Sequence, residues 1–281
     1  MHTAKTPPVE ITLRSLTRYI VIATALATAL LSVPIFTGLP TEIFLLIAMY
    51  VVLLGGAVIV ARRSGPGGIR RLFSGLLHWR IGWVNWAVVV LAMPVATIAV
   101  AVMAGAYTPP PDGWVNVAGD YLFQTFIFGA VLLNLPEETV WQGMVQRNLT
   151  RRFGLLRAAA ITAIPFAILH VPISYAAGET GRESLLAIAM MTAVAPLMRY
   201  VVGRTDRATG GSLLAVGVFH AGFNASGKLA IVTDWWWYAV ALGVVAAALL
   251  TVDVVRARIG GTGLYTSQKL PAPATEFATP A

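Results

Sequence analysis

Long apolar stretches alternate along the chain with short segments that carry most of its basic residues. Runs of about 17–25 apolar residues are typical of helices that cross a bilayer. The pattern therefore predicts an all-α fold, a polytopic membrane helix bundle with about eight transmembrane helices. The runs cover residues 18–36, 42–61, 83–105, 120–146, 157–175, 184–202, 211–225 and 233–255, of which the seventh is short and rich in glycine.

The apolar runs form a single predicted transmembrane domain at residues 19–258, between a cytoplasmic N-terminal segment (1–18) and a C-terminal tail (259–281). The tail is rich in Pro, Ala and Thr, a composition typical of disorder. Between the second and third runs, residues 68–79 place apolar side chains at helical spacing opposite Arg70 and Arg71. This pattern predicts a short amphipathic helix on the inner leaflet.

The formal net charge of +8 would suggest a nucleic-acid partner in a soluble protein. Here 57% of the residues are hydrophobic, only 11% are charged, and the Lys and Arg residues flank the apolar runs. We therefore exclude nucleic acid as a partner and expect contacts with the lipid bilayer. All 20 Lys and Arg residues except Arg182 and Lys228 belong to one set of alternate connecting segments. Because positive residues stay on the cytoplasmic side, the pattern predicts a multi-pass protein of the cytoplasmic (plasma) membrane with both termini in the cytoplasm.

Two adjacent carboxylates, Glu137 and Glu138, are the only charges in the apolar stretch 121–145. Placing one ionised side chain at bilayer depth costs at least about 2.5–3.5 kcal/mol. A chain keeps such a pair only where the carboxylates find partners, protons or a water-filled cavity, so the pair marks a predicted functional site. Asn134, Glu138 and Gln142 are four residues apart in turn, so they share one face of the helix.

Two histidines lie at the same depth as the glutamate pair. Glu138, His170 and His220 are each thirteen residues from a basic residue at the cytoplasmic end of their helix. Thirteen helical residues span about 20 Å, so the three groups reach one level, and we expect them to form one site. Asn224 follows His220 by one helical turn and lies on the same face.

The chemistry open to this site is limited by what the sequence lacks. It has no cysteine, which excludes thiolate zinc sites and cysteine nucleophiles. It also has no G-x-S-x-G elbow, no H-E-x-x-H helix and no P-loop. Carboxylate, imidazole and amide groups suit general-base catalysis, in which a glutamate activates a water and His170 orients it. His220 and Asn224 could then donate hydrogen bonds to an oxyanion. Alternatively, Glu137, His170 and His220 could hold a divalent metal such as zinc with an open water position, and the residues alone leave both mechanisms open.

Three motifs occur in order along the later runs: Glu137-Glu138-x-x-x-Gln142, Phe166-x-x-x-His170 and His220-x-x-x-Asn224. Together they resemble the CPBP intramembrane proteases, a family that includes type II CAAX prenyl endopeptidases and the bacteriocin-processing or immunity (Abi) proteins. The resemblance covers about residues 120–227.

The resemblance implies a hydrolase, an intramembrane endopeptidase that cuts a peptide or membrane-protein substrate with a glutamate-activated water. It implies that Glu137 is the base, that His170 assists it, and that Glu138 supports it. His220 and Asn224 would form the oxyanion site. The residues that would support the site or bind substrate are Asn134, Gln142 and Phe166.

Gln142 departs from the family pattern, in which the position after E-E-x-x-x is usually arginine. Glutamine can bond a carboxylate but cannot neutralise it, so we expect one glutamate to be protonated and the activity or specificity to be altered. Two alternatives to the endopeptidase stay open. One is a catalytically reduced bacteriocin-immunity or peptide-binding membrane protein, and the other is a proton-coupled transporter that uses the glutamate pair as a relay.

Overall fold

The computed structural model describes residues 9–176, 181–234 and 236–260. Within these ranges the chain forms nine helices, and extended structure is confined to one isolated bridge between Tyr107 and Val232. The helices are α1 (Leu13–Thr37), α2 (Thr41–Arg63), α3 (Gly68–Phe73), α4 (Trp83–Met103), α5 (Gly113–Phe153), α6 (Leu155–Ala176), α7 (Arg182–Ala208), α8 (Leu213–Ser226) and α9 (Trp237–Gly260). A helix satisfies its own backbone hydrogen bonds, which is what an apolar run requires in lipid. The predicted all-α helix bundle is confirmed.

Seven helices in the described part of the chain are long and apolar enough to cross a membrane, namely α1, α2, α4, α5, α6, α7 and α9. The remaining predicted run corresponds to α8, which has 14 residues. At 1.5 Å per residue α8 is about 21 Å long, shorter than a bilayer core of about 30 Å. Neighbouring helices bury nearly all of its side chains, so α8 is an inner helix of the bundle. The chain is an integral, multi-pass membrane protein.

The helix α5 is continuous over 41 residues but changes its winding around the glutamate pair. Phe123–Asn134 and Thr139–Gln146 are wound as π-helix, whereas Leu135–Glu138 between them is α-helical. Pro136 lacks a backbone N–H and therefore removes one helical hydrogen bond at this point. Long stretches of π-helix are rare, and π-helical turns often occur at functional sites. The change in winding coincides with the two glutamates, both of which are buried.

Small residues allow α8 to pack closely and antiparallel against α5. Gly217 contacts Leu135, and Gly129 contacts Ala221 farther along the pair. A Cβ atom at Gly129 would lie 2.8 Å from Ala221 Cβ, and one at Gly217 would lie 2.6 Å from Leu135 Cδ2. Both distances are too short for a side chain to fit without movement. The close packing brings His220 of α8 beside the glutamates of α5.

The two ends of the bundle differ in charge. The arginine-rich end is defined by Arg63, Arg152, Arg207 and Arg258 in the last turns of α2, α5, α7 and α9. At the opposite end the loops before α5 and after α8 pair with each other. The Thr108 N–H donates to the Ile231 carbonyl, and the Thr233 N–H donates to the Ala106 carbonyl, both at 3.0 Å. We call this the loop-paired end.

The segment after α3 covers the start of α8 at the arginine-rich end. The amphipathic helix predicted over residues 68–79 is shorter than expected, because α3 has only six residues and turns follow it. The Gly75 carbonyl accepts a hydrogen bond from the Leu213 N–H at 2.9 Å, and Ser212 Oγ donates to the His78 carbonyl at 2.5 Å. A continued helix would use these two carbonyls internally, so capping α8 requires α3 to end early.

The chain ends differ from the predicted boundaries. The first helix begins at Leu13, inside the segment 1–18, because Thr12 caps it and its Oγ1 accepts a hydrogen bond from the Ser15 N–H at 3.2 Å. Residues 1–8 lie outside the described residues. The last helix, α9, extends to Gly260, so all but the first two residues of the tail predicted to be disordered, 259–281, also lie outside them.

Candidate functional site

Glu138 lies at the centre of a buried charge network. Its Oε1 is 2.8 Å from Arg199 Nη1, and its Oε2 is 3.0 Å from the same nitrogen and 3.1 Å from Nη2. His220 Nδ1 lies 2.7 Å from Glu138 Oε1. Both Glu138 and Arg199 are 0% exposed. A buried carboxylate without partners would be costly, and here the guanidinium and the imidazole satisfy it.

Arg199 is itself held in place by two further residues. Its Nε donates to Gln146 Oε1 at 2.9 Å, and Gln146 Nε2 donates back to the Arg199 carbonyl at 2.7 Å. The guanidinium carbon lies 5.5 Å from the centroid of the Phe166 ring, within the range of a cation–π contact. These contacts fix the plane of the guanidinium, so Arg199 binds the Glu138 carboxylate through both of its Nη atoms.

Glu137 has a different environment from its neighbour. Its Oε2 accepts a hydrogen bond from Asn134 Nδ2 at 3.3 Å and lies 3.8 Å from His220 Nδ1. Within the described part of the chain, no lysine or arginine pairs with it. Glu137 is 8% exposed, whereas Glu138 is 0% exposed. Glu137 therefore keeps free lone pairs and some access from outside the network.

Two asparagines connect Glu137 to the edge of the site. Asn224 Nδ2 donates to Asn134 Oδ1 at 3.5 Å, and Asn134 donates in turn to Glu137. Asn224 is exposed in the last turn of α8, in contrast to His220 one turn before it, which is 4% exposed. Because His220 and Asn224 are four residues apart, they present an imidazole and an amide on one helix face.

His170 joins the site through an aromatic contact. Its ring centroid lies 4.6 Å from that of Phe166, and the Phe166 ring lies 5.9 Å from that of His220. His170 Nδ1 is 2.8 Å from the Phe166 carbonyl oxygen. A carbonyl can only accept, so Nδ1 carries the proton and Nε2 is left as an acceptor. His170 is half-buried, so this nitrogen is accessible to a water molecule.

Gln142 extends the network toward the arginine-rich end. Its Oε1 accepts from Arg199 Nη2 at 3.4 Å, and its Nε2 donates to Asp206 Oδ2 at 3.0 Å. Asp206 in turn pairs with Arg147, whose Nη2 lies 2.6 Å from Oδ1 and whose Nε lies 3.0 Å from Oδ2. A continuous set of bonded side chains therefore links Glu138 to the end of the bundle.

A cavity of about 370 Å³ opens on the opposite side of the network. Asn134 and Asn224 line it, together with Gln124 and Lys228, which lie nearer the loop-paired end. Its volume falls within the range of about 300–1,000 Å³ that is usual for ligand pockets. The cavity therefore connects the asparagine edge of the site to the surroundings.

The predicted alternative is a metal centre at Glu137, His170 and His220. The described residues include no group of three or more His, Asp and Glu side chains placed to hold one ion. His220 Nδ1 is bonded to Glu138, and His170 Nδ1 is bonded to a backbone carbonyl. Both histidines keep Nε2 free, as metal-binding histidines also do, so these hydrogen bonds leave the metal alternative open.

Two kinds of contact bring together the site residues predicted from the sequence. Hydrogen bonds, ion pairs or both join Asn134, Glu137, Glu138, Gln142, His220 and Asn224 to one network. Ring contacts add Phe166 and His170.

Arg199 is a residue of the network that the sequence did not predict. Grouping it with the basic residues of a connecting segment is wrong, because it is fully buried and paired with Glu138. A signal was present, since Arg199 lies inside the predicted apolar run 184–202. Gln146 was also missed, although it continues the four-residue spacing of Gln142 by one step. The expectation of a protonated glutamate assumed that no cation was near, and Arg199 supplies one from α7.

Comparison with known protein families finds a match over the part of the chain that holds this network. Residues 119–226 match the family described as type II CAAX prenyl endopeptidase Rce1-like. The matched segment contains the glutamate pair, Arg199, both histidines and Asn224. No curated protein matches the chain. The match confirms the resemblance to the CPBP family over residues 119–226 of the chain.

Proposed function

We propose that the protein is an intramembrane endopeptidase that hydrolyses a peptide bond of a peptide or membrane-protein substrate, with Glu137 as the general base. The unequal environment of the two glutamates carries this proposal. Arg199 and His220 satisfy Glu138, whereas Glu137 accepts one hydrogen bond from the neutral Asn134 and is partly accessible. A general base needs a free carboxylate oxygen within reach of its water, and Glu137 meets that need.

The reaction starts from a water molecule beside Glu137. The carboxylate takes one proton from the water as the water oxygen attacks the carbonyl carbon of the scissile bond. His170 Nε2 accepts the other water hydrogen in a hydrogen bond and so orients the attack. Protonated Glu137 then gives its proton to the leaving nitrogen as the C–N bond breaks. This step restores the carboxylate and releases a new amine and a new carboxyl group.

The negative oxygen of the tetrahedral intermediate needs donors, and α8 offers two. Asn224 Nδ2 is bonded to Asn134 only at 3.5 Å, so it can turn toward a substrate oxygen at little cost. His220 Nδ1 is held by Glu138, which leaves Nε2 as the second donor when it carries a proton. Removing one such donor typically lowers kcat by about 10²–10³.

We place the protein in the cytoplasmic membrane with both termini in the cytoplasm. The arginine-rich end would then face the cytoplasm and the loop-paired end would face outward. Removing buried Arg199 from the tally of basic residues leaves the charge asymmetry between the two ends intact, since only Arg182 and Lys228 belong to the other side.

The test of the endopeptidase function is the cleavage of a peptide library by purified protein in detergent. The wild type should cleave and Glu137→Gln should not, while the exposed Glu42→Gln serves as a matched control that cleaves normally. A strong chelator should leave the wild-type rate unchanged. Cleavage by Glu137→Gln would overturn the assignment of the base, and loss of cleavage in chelator would contradict the metal-free mechanism.

The alternative of a catalytically reduced immunity or peptide-binding protein rests on Gln142. Its support is weakened because Arg199 provides the guanidinium that the motif lacks at position 142. If the wild type binds peptides but cleaves none of them, this alternative replaces the endopeptidase. Ion flux across proteoliposomes would instead support the transporter.

A further inference from the structure

We propose that the substrate enters through the cavity beside α8 from the loop-paired end of the bundle, and that Lys228 binds a carboxylate of the substrate there. The proposal rests on the endopeptidase function proposed above. It adds the side of entry and the chemical group that is recognised. With the membrane orientation given above, the substrate comes from outside the cytoplasm.

The arginine-rich end is closed to a peptide. Gln142 and Gln146, which lie between this end and the glutamates, are 2% and 0% exposed. Beyond them, Arg147 and Asp206 form an ion pair whose side chains are only 13% and 10% exposed. A substrate arriving from this end would have to break a buried ion pair and displace Arg147 from the Gly211 carbonyl, to which its Nη2 donates at 2.8 Å. Breaking such a pair is costly because it leaves a charge uncompensated.

Exposure of the site residues rises toward the loop-paired end. Glu138 is 0% exposed, Glu137 is 8% exposed, and Asn224 is exposed. Asn224 and Asn134 line the cavity of about 370 Å³, so the accessible side of the catalytic network is the side that faces this cavity. A peptide that enters from the loop-paired end meets Asn224 and Asn134 first, and Asn134 is bonded to Glu137.

Lys228 is the cation of this cavity. It follows Asn224 by four residues, and its Nζ lies 5.6 Å from the Phe128 ring centroid and 3.4 Å from Gln124 Oε1. Both of these contacts are to neutral groups, and among the described residues no carboxylate pairs with Lys228. Basic residues are otherwise scarce at this end, where the sequence has only Arg182 besides Lys228. Lys228 is exposed, so its ammonium is available to an anion that enters the cavity.

The remaining lining of the cavity suits a peptide chain. Phe128, Leu133 and Tyr238 provide apolar surface for side chains, while the amides of Gln124, Asn134 and Asn224 can bond a peptide backbone. Lys228 lies two residues beyond the end of α8 and lines the same cavity as Asn224, so a carboxylate bound by Lys228 lies within a few residues of a carbonyl bound at Asn224. That carboxylate is either the carboxyl terminus of the substrate or an acidic side chain near the scissile bond.

The side of entry can be tested by cysteine labelling, because the chain has no cysteine of its own. A membrane-impermeant maleimide should modify Lys228→Cys in right-side-out vesicles and the exposed Arg63→Cys in inverted vesicles. Modified Lys228→Cys should no longer bind a labelled peptide pool, whereas modified Arg63→Cys should bind it normally. Labelling of Lys228→Cys only in inverted vesicles, or binding that survives its modification, would overturn the proposed entrance.

Recognition of the carboxylate can be measured without cleavage by using Glu137→Gln protein in nanodiscs. The probes are fluorescent random hexapeptide pools: one with free carboxyl termini and no Asp or Glu, its amidated twin, and an amidated pool that contains Asp and Glu. Adding Lys228→Gln should weaken binding of a carboxylate-bearing pool about tenfold, and Lys228→Arg should retain it. The amidated neutral pool should be unaffected.

The pool that responds identifies the carboxylate as terminal or as a side chain. If Lys228→Gln weakens all three pools equally, or none of them, the recognition proposal fails. If the pools bind as expected but the wild type cleaves no peptide, the endopeptidase function fails and the entrance stands.

Discussion

Arg199 of α7 neutralises Glu138 of α5 through three hydrogen bonds of 2.8–3.1 Å, with both side chains fully buried. The family motif usually has its arginine on the same helix as the glutamates, where this chain has Gln142. Here the cation comes from a different helix and pairs with only one of the two glutamates. Glu138 is fixed by its partners, and Glu137 is left free to act on a water.

Replacing Arg199 with leucine should destabilise the protein strongly. Glu138 would remain buried without its cation, and breaking a buried pair by removing one partner costs about 3–5 kcal/mol. We expect a clearly lower thermal midpoint in detergent for Arg199→Leu. The exposed Arg62→Leu is the matched control and should unfold like the wild type. Equal midpoints for the two variants would show that the ion pair does not stabilise the fold.

An arginine placed at position 142 of α5 should restore part of the stability and activity that are lost when Arg199 is replaced. Gln142 lies one turn after Glu138 and already contacts Arg199 through its Oε1, so an arginine at position 142 can reach the Glu138 carboxylate. The double variant Arg199→Gln/Gln142→Arg should recover part of the thermal midpoint and the cleavage rate lost in Arg199→Gln alone. A double variant no better than the single one would mean that the position of the cation, and not only its charge, is essential.

The sequence predicts the helices and most of the side chains that the structure brings together, but not the partner of Glu138. The apolar runs and the motif spacing are local signals, and they place Glu137, Glu138, His220 and Asn224 correctly on their helices. The pairing of Glu138 with Arg199 joins residues 61 positions apart in the chain, so no local pattern contains it. The seventh run is short in the sequence as well, but it does not reveal that α8 is an inner helix, because a buried inner helix and a short membrane span have similar composition.

A methyl group at Gly129 should separate α5 from α8. A Cβ atom there would lie 2.8 Å from Ala221 Cβ, so Gly129→Ala overpacks the contact that aligns His220 with the glutamates. Overpacking of this kind costs about 1–3 kcal/mol, and we expect both the thermal midpoint and the cleavage rate to fall. Gly243→Ala in α9 is the control, since its Cβ would meet no atom within 4 Å. If the two variants behave alike, close packing of α5 and α8 is not required.

His170→Gln should lower the cleavage rate far more than the stability. Glutamine cannot both donate to the Phe166 carbonyl and leave a basic nitrogen for the water, and loss of such a group typically costs about 10²–10⁴ in rate. The half-buried ring contributes less to packing, so the thermal midpoint should stay close to that of the wild type. His78→Gln, at the arginine-rich end, should cleave normally. Full activity of His170→Gln would remove this residue from the mechanism.

The distinct roles of the two glutamates are tested most directly by measuring the cleavage rate and the thermal midpoint of Glu137→Gln and Glu138→Gln in the same preparation. The account predicts that Glu137→Gln keeps the wild-type midpoint and loses cleavage, because the free carboxylate is the base. It predicts that Glu138→Gln has a lower midpoint, because Arg199 loses its buried counter-charge. A stable Glu138→Gln that cleaves nothing, together with an active Glu137→Gln, would contradict the account.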